Sequence, residues 1–280
     1  MIMSNLDMFF SGDEYPPNVR ETKATVALSP SRLPGLDFAL NPYQGCSHRC
    51  TYCYAPYITR QPVDEWGCII SAKMNLPVLL DRELPRNRGM IGLGTVTDPY
   101  QPAERVVNLT RRCLEILVKH RAKVSILTKS PLVTRDIDLI SKLNDSEVGI
   151  TITAMDSNRA TIFEPYSTPP SERLDAMKIL SNEGVSVYAL IGPIIPTITD
   201  FRLDEFLDSI RDTGASIVMV DRLNLRPGMD IRLLKRMKEM DPSSLSILEK
   251  YIKDREFYDD IINRIRNLCE NRDLEYRDAF

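Results

Sequence analysis

A chain of 280 residues with 43% hydrophobic side chains can bury a full core, as one large α/β domain or two small ones. Its 36 basic and 39 acidic residues leave a net charge of −3, which excludes a global positive field that gathers nucleic acid by bulk electrostatics. No run approaches the roughly eighteen apolar residues of a membrane-spanning helix, and six cysteines, three of them bunched, fit a reducing compartment, the cytoplasm by default.

In chain order, residues 1–10 are mildly apolar but interrupted by Asn5 and Asp7, and they lack the basic start and small-residue cleavage site of a signal peptide. Residues 1–35 carry Pro16-Pro17, Ser29-Pro30 and Leu33-Pro34 with little periodicity, which predicts an irregular leader packed on the body. From Phe38 a strand stub runs into the cysteine loop. A short strand is expected at 68–73 and a helix at 75–84, with Pro77 in its first turn.

The pattern then becomes regular. Strands are predicted at 90–96, 123–128, 148–153, 185–191 and 217–220. Helices are predicted at 103–120, 133–143, 171–182 and 204–211, with Gly184 as a C-cap. A helical tail covers 231–268. Strands alternating with helices through short loops give a parallel sheet, as a closed or partial barrel or a doubly wound sheet, with the ligand at the carboxyl ends of the strands. About six strands fall short of the eight of a complete barrel. The organisation expected is a leader over 1–35, a core over 36–228 and a helical extension over 229–280. Arg82 to Arg88 and Arg232 to Lys238 are local basic stretches, and the second, with Leu and Met at helical spacing, reads as a solvated helix face.

The cysteine loop is Cys46-Ser-His-Arg-Cys50-Thr-Tyr-Cys53, a C-x3-C-x2-C spacing. A [4Fe–4S] cluster normally takes four thiolates, and this loop offers three, so one iron is left open to an outside ligand. Zinc is the alternative metal, with His48 as fourth ligand in a cramped Cys3His site, and the competing class is a non-catalytic module, an iron–sulfur site for electron transfer or an iron–sulfur or zinc site that braces structure. Three such close cysteines cannot all pair as disulfides. Cys68, Cys113 and Cys269 are isolated and cannot assemble a second cluster; Cys113 sits on an apolar helix face as a small buried thiol.

The loop on a βα-repeat chain resembles the radical S-adenosylmethionine (SAM) superfamily. More narrowly, residues 41–55, residues 94–104, Phe163-Glu-Pro-Tyr166, Ile194-Ile-Pro196 and Asn224-Leu-Arg-Pro227 resemble the spore photoproduct lyase-related group, often labelled DNA repair photolyases. The resemblance implies a partial (β/α)6 barrel of the TIM type with a C-terminal helical extension. It implies Cys46, Cys50 and Cys53 as ligands of a [4Fe–4S] cluster whose open iron SAM chelates, and an external one-electron reductant such as flavodoxin or ferredoxin. Reductive cleavage of SAM to a 5′-deoxyadenosyl radical, and hydrogen abstraction from a substrate such as a nucleic-acid base, are the implied chemistry.

The resemblance also implies roles around the cofactor. Tyr52 lies against the adenine, and Gly94, Thr95, Thr97 and Asp98 contact the SAM amino group. Lys129 pairs with the SAM carboxylate. Thr151 and Thr153 share a sheet face and reach ribose hydroxyls or carboxylate oxygen, Gly192 lets the adenine approach the backbone, and Glu164 and Arg226 contact substrate. Spore photoproduct lyase uses a hydrogen-donor cysteine near the end of the second strand; the corresponding Gly92-Leu-Gly-Thr-Val-Thr-Asp98 has none. That argues against thymine-dimer repair by that mechanism.

Overall fold

The structure, a computed structural model, describes residues 18–279, so the N-terminal stretch 1–10 and Pro16-Pro17 lie outside the described residues. Before the cysteines come β1 (Asn18–Thr22), β2 (Ser29–Pro30), β3 (Phe38–Leu40) and β4 (Tyr43–Gln44). After them come α1 (Ala55–Thr59), β5 (Ile69–Lys73) and α2 (Leu76–Glu83). The repeating part starts with β6 (Met90–Leu93), α3 (Glu104–Val107), α4 (Leu109–Lys119) and β7 (Lys123–Thr128). A 3-10 turn (Pro131–Asp136) then leads into α5 (Ile137–Ile140), β8 (Glu147–Thr151), α6 (Ser157–Phe163) and α7 (Pro170–Asn182). β9 (Ser186–Ile194), α8 (Leu203–Arg211) and β10 (Ile217–Arg222) complete it. The last elements are α9 (Met229–Met240), α10 (Leu245–Tyr251), α11 (Arg255–Glu270) and β11 (Glu275–Asp278).

The main sheet has the order β11-β10-β9-β8-β7-β6-β3-β2. β3, β6, β7, β8, β9 and β10 run parallel side by side, β11 adds a parallel strand at one edge, and β2 pairs antiparallel at the other. Among the described residues the two edges do not pair with each other, so the α/β fold is an open, partial barrel, one of the architectures that the alternation allows. Val124 and Ile126, Val148 and Ile150, and Val218 and Val220 are buried at period two along their strands. α4 meets this layer with Cys113, Leu114 and Leu117, buried at helical spacing, while Leu109 on the same helix clusters with Tyr43, Ile70 and Ala72 of β4 and β5. Each large apolar side chain so covered stabilises the fold by about 2 kcal/mol relative to exposure.

Four local features differ from the sequence pattern. The helix expected over 103–120 is two helices, because Asn108 adopts a left-handed conformation (φ 54°) between them. The Glu104 carboxylate accepts from the N–H groups of Thr110 (2.8 Å) and Arg111 (3.2 Å), so it caps the second helix from inside the first. β5 belongs to a separate sheet of order β1-β5-β4, which turns part of the leader into a strand. α6 was not expected; Asp156 caps it by accepting from Arg159 N–H at 2.9 Å. The C-terminal segment is helical but ends in β11, which extends the main sheet.

Candidate active site at the cysteine loop

The cysteine loop leaves the sheet beyond the carboxyl end of β3 and is clamped from three sides. Gln101, fully buried, accepts from the Ser47 N–H (2.9 Å) and donates to the Gly45 carbonyl (3.1 Å). Thr97 donates to the same carbonyl at 2.6 Å. Gly67 passes so close that a Cβ there would lie 2.2 Å from the Cys46 carbonyl oxygen, and its φ of +80° also calls for glycine. From below, Thr51 N–H donates to the Phe163 carbonyl (2.8 Å), and the Cys50 sulfur lies 3.8 Å from the Ser167 hydroxyl. From the C-terminal segment, Arg232 on α9 donates to the Thr51 carbonyl (3.1 Å) and the Tyr57 hydroxyl (3.0 Å), and Arg236 to the Ile162 carbonyl (2.9 Å). These two arginines are thus partly buried clamps rather than a solvated face.

All three cysteines are free thiols, Cys46 buried and Cys50 and Cys53 half-buried. Burial pushes the Cys46 thiol well above its ordinary range, and Asp98, Cys50 and Cys53 add to the effect. Burial, with Cys50 beside it, lifts Cys53 to about 12. Burial also raises Cys50, opposed by Lys129 and reinforced by Glu164. Burial above all therefore holds the protons on these thiols, and a ligand that brings positive charge reverses this.

The loop after β6 forms the next side. Gly94 has φ +96°, and a Cβ there would meet Pro99 at 2.5 Å and the Leu127 carbonyl at 2.8 Å. The Asn41 side chain donates to the Thr95 hydroxyl (3.0 Å) and accepts from Val96 N–H (3.0 Å), and the Tyr54 hydroxyl donates to the Thr95 carbonyl. Asp98, buried, accepts from Thr128 Oγ1 (2.6 Å), Tyr100 N–H (2.9 Å) and Lys129 N–H (2.8 Å), tying β6 to β7. His48 Nδ1 stands 3.4 Å from the second Asp98 oxygen; burial lowers its pKa, so the ring is neutral at pH 7. The Lys129 ammonium lies 5.7 Å from the centre of the Tyr52 ring.

Beneath Tyr52 lies a buried polar network. Its hydroxyl donates to Glu164, which also accepts from Thr153 Oγ1 (2.6 Å) and is ion-paired with Arg173; both charged side chains are 1% exposed. Arg173 donates its remaining groups to the Thr151 (3.0 Å) and Thr168 (2.7 Å) carbonyls. Burial alone would raise the Glu164 carboxyl, but Arg173 and Lys129 with hydrogen bonds from Arg173 and Thr153 hold it down at about 2. Thr153 also approaches the Gly192 carbonyl (3.4 Å).

Residues 40–210 match the Radical SAM superfamily. The chain belongs to that superfamily. An uncharacterized protein of Methanocaldococcus jannaschii is 34% identical over 245 residues, 87% of this chain and 92% of that protein. An uncharacterized protein of Mycobacterium tuberculosis is 31% identical over 201 residues, covering 68% of this chain and 59% of that protein. Among solved structures, a variant of spore photoproduct lyase with bound AdoMet and dinucleoside spore photoproduct superposes with a TM-score of 0.72 at 13% identity, over 94% of this chain and 81% of that one. SuiB of Streptococcus suis bound to S-adenosylmethionine gives a TM-score of 0.55 at 12% identity, over 86% and 50%. These two likenesses show the shared fold.

As a radical SAM enzyme the chain requires SAM and an iron–sulfur cluster, and the donor set fits the latter. A cubane takes each thiolate on a different iron, whereas one zinc ion draws four ligands to a single point. Among the described residues no three Cys, His, Asp or Glu side chains close on a single-ion site, and His48 faces Asp98. The buried Trp66 side chain shares an apolar cluster with Cys46 and Cys53, and its indole N–H has no partner among the described residues; a cluster sulfur is the kind of acceptor it lacks.

The structure brings Tyr52, Thr151, Thr153 and Gly192 together around the Glu164–Arg173 pair, and Gly94, Thr95, Thr97, Asp98 and Lys129 around the cysteine loop. Thr97 and Asp98 spend their side chains on loop contacts, and Glu164 lies in the interior, while Arg226 is exposed. Arg173, Gln101, Arg232 and Asp221 are contributors that the sequence pattern did not single out. Arg173 was legible: it occupies one position of the apolar stripe with Ala176, Met177 and Leu180, where a charge needs a buried partner.

Proposed function

We propose that Cys46, Cys50 and Cys53 hold three corners of a [4Fe–4S] cluster and leave the fourth iron to SAM. When bound, cluster and SAM together supply a 5′-deoxyadenosyl radical that takes a hydrogen atom from substrate. The chain's own residues bind and orient. Lys129 would meet the SAM carboxylate, the strand-end backbone at 94–98 its amino group, Tyr52 and the Gly192 backbone its adenine, and Thr151 and Thr153 its ribose hydroxyls or carboxylate oxygen. The observation that carries this reading is the cysteine loop, with its three thiols at the carboxyl edge of the sheet beside Lys129 and Tyr52.

Nucleic-acid bases come first among substrates to screen, because spore photoproduct lyase shares the fold and binds a dinucleoside spore photoproduct. A reaction ending on hydrogen return from a thiol at 92–98 is not proposed, since that segment has no cysteine. An external one-electron donor, flavodoxin or ferredoxin, completes the requirement.

The test is anaerobic reconstitution with iron and sulfide, reduction with dithionite in the presence of SAM, and chromatography for 5′-deoxyadenosine. The wild-type chain is expected to form it and Cys53→Ala to form none. An EPR signal unaltered by SAM, with no cleavage, would overturn the reading and leave an electron-transfer or structural metal module.

A further inference from the structure

The Glu164–Arg173 pair sits where neither a fold contact nor a substrate contact accounts for it. Both side chains are 1% exposed, and their polar atoms are spent on one another and on Tyr52, Thr151, Thr153 and Thr168, which leaves none for a substrate. The pair joins Tyr52 of the cysteine loop, Thr151 and Thr153 at the end of β8, and Thr168 at the entry to α7. The turn that supplies Glu164 also supplies Phe163 and Ser167, whose carbonyl and hydroxyl meet Thr51 and Cys50. An ion pair this deep contributes little net stability, because desolvation offsets attraction, so a hydrophobic pair would serve packing as well.

We infer that the buried Glu164–Arg173 pair is a positioning unit that fixes Tyr52 against the loop and sets the reduction potential of the cluster at its Cys50 corner. The inference rests on the reading that the three cysteines hold a cluster. Reduction adds one negative charge to a cluster, and nearby fixed charge and hydrogen bonding decide how readily it is accepted. Lys129 and Arg173 favour that charge; Glu164 opposes it. Removing Glu164 leaves cations uncompensated and eases reduction. Removing Arg173 leaves an anion and hinders it. Two variants of one contact should therefore move the potential in opposite directions.

Glu164→Gln keeps shape and an acceptor for Tyr52, Arg173→Met keeps length, and the double variant restores neutrality. Iron and sulfide content is measured first, then the potential by EPR-monitored titration without SAM. Glu164→Gln is expected to raise the reduced-to-oxidised ratio at fixed poise at least tenfold, about +59 mV for one electron. Arg173→Met is expected to lower it by a similar factor, and the double variant to stay within tenfold of wild type. If a single variant fails to hold cluster, its recovery in the double variant supports the pair, and loss in all three reduces it to a fold contact. Shifts of the same sign, or none, overturn the inference while the cluster reading stands. A wild-type chain that binds no cluster overturns both.

Discussion

At the scale of single residues, Asp221 is the most conditional group at the barrel mouth. Val220 pairs with Ile191 and Arg222 with Ile194, so Gly192 and Pro193 oppose Asp221 alone in an irregular step between β9 and β10. A Cβ on Gly192 would lie 3.0 Å from that of Asp221. Burial lifts the Asp221 carboxyl from its ordinary 3.8 to about 6, with only a hydrogen bond from the Arg222 backbone opposing. Between those values the native chain keeps a proton that the unfolded chain has lost. Stability therefore falls as pH rises from about 4 to about 6, and the full cost is present above. Two pH units at about 1.4 kcal/mol each set a ceiling near 3 kcal/mol, reduced by the side chain's partial solvent contact. Asp221→Asn is expected to stabilise the protein by about 1–3 kcal/mol at pH 7.5 and not at pH 4, as read by urea unfolding. An equal gain at both pH values would assign the effect to something other than ionisation.

At the scale of elements, the cysteine loop has little regular structure of its own and takes its shape from its neighbours. Gln101 holds both sides of it, accepting from Ser47 and donating to Gly45 and Thr97. Gln101→Leu leaves a buried N–H without an acceptor and weakens the Gly45 anchor, so a loss of about 2–4 kcal/mol in the apo chain is expected, with reduced iron uptake on reconstitution. Wild-type stability and iron content in that variant would remove Gln101 from the clamp. Much of this region is legible in the sequence: C-x3-C-x2-C fixes ligand type, and the strands predicted to end at 96, 128 and 153 bring 94–98, Lys129 and Thr151 to one edge, although β6 and β8 stop earlier, at Leu93 and Thr151. What stayed hidden depends on chain segments far apart in sequence. Glu104 capping α4 from within α3 breaks a helix whose apolar periodicity continues unbroken, because Leu109, Cys113 and Leu117 all lie beyond the break. The Arg232 and Arg236 spacing reads as a charged helix face until the Thr51 and Ile162 carbonyls are known to lie beside it. No local pattern in 231–238 carries that information.

At the scale of the whole molecule, the C-terminal segment extends the sheet at one edge and packs into its core. β11 covers the edge of β10 along Ile217–Val220, and Leu233, Met237, Leu248, Ile252, Ile262, Ile265 and Cys269 lie in the same apolar cluster as the strand residues Val218 and Val220. Ion pairs Arg264–Asp204, Arg272–Asp208 and Arg222–Asp259 line the seam, though exposed pairs of this kind add little each. The apolar contacts dominate: the seven buried side chains of the segment, at about 2 kcal/mol each, represent about 14 kcal/mol of burial, comparable with the roughly 5–15 kcal/mol by which a domain is normally stable, and without them the strand face they cover is exposed. A chain ending at Gly228 is therefore expected to lose the cooperative thermal transition seen by circular dichroism and to bind a hydrophobic dye. It would also lose Arg232 from the Thr51 carbonyl, so even a folded fraction would hold the cysteine loop less tightly and take up less iron. A truncated chain that melts cooperatively and reconstitutes to wild-type iron content would show instead that the barrel is complete without its C-terminal segment, and that the α9 clamp is dispensable.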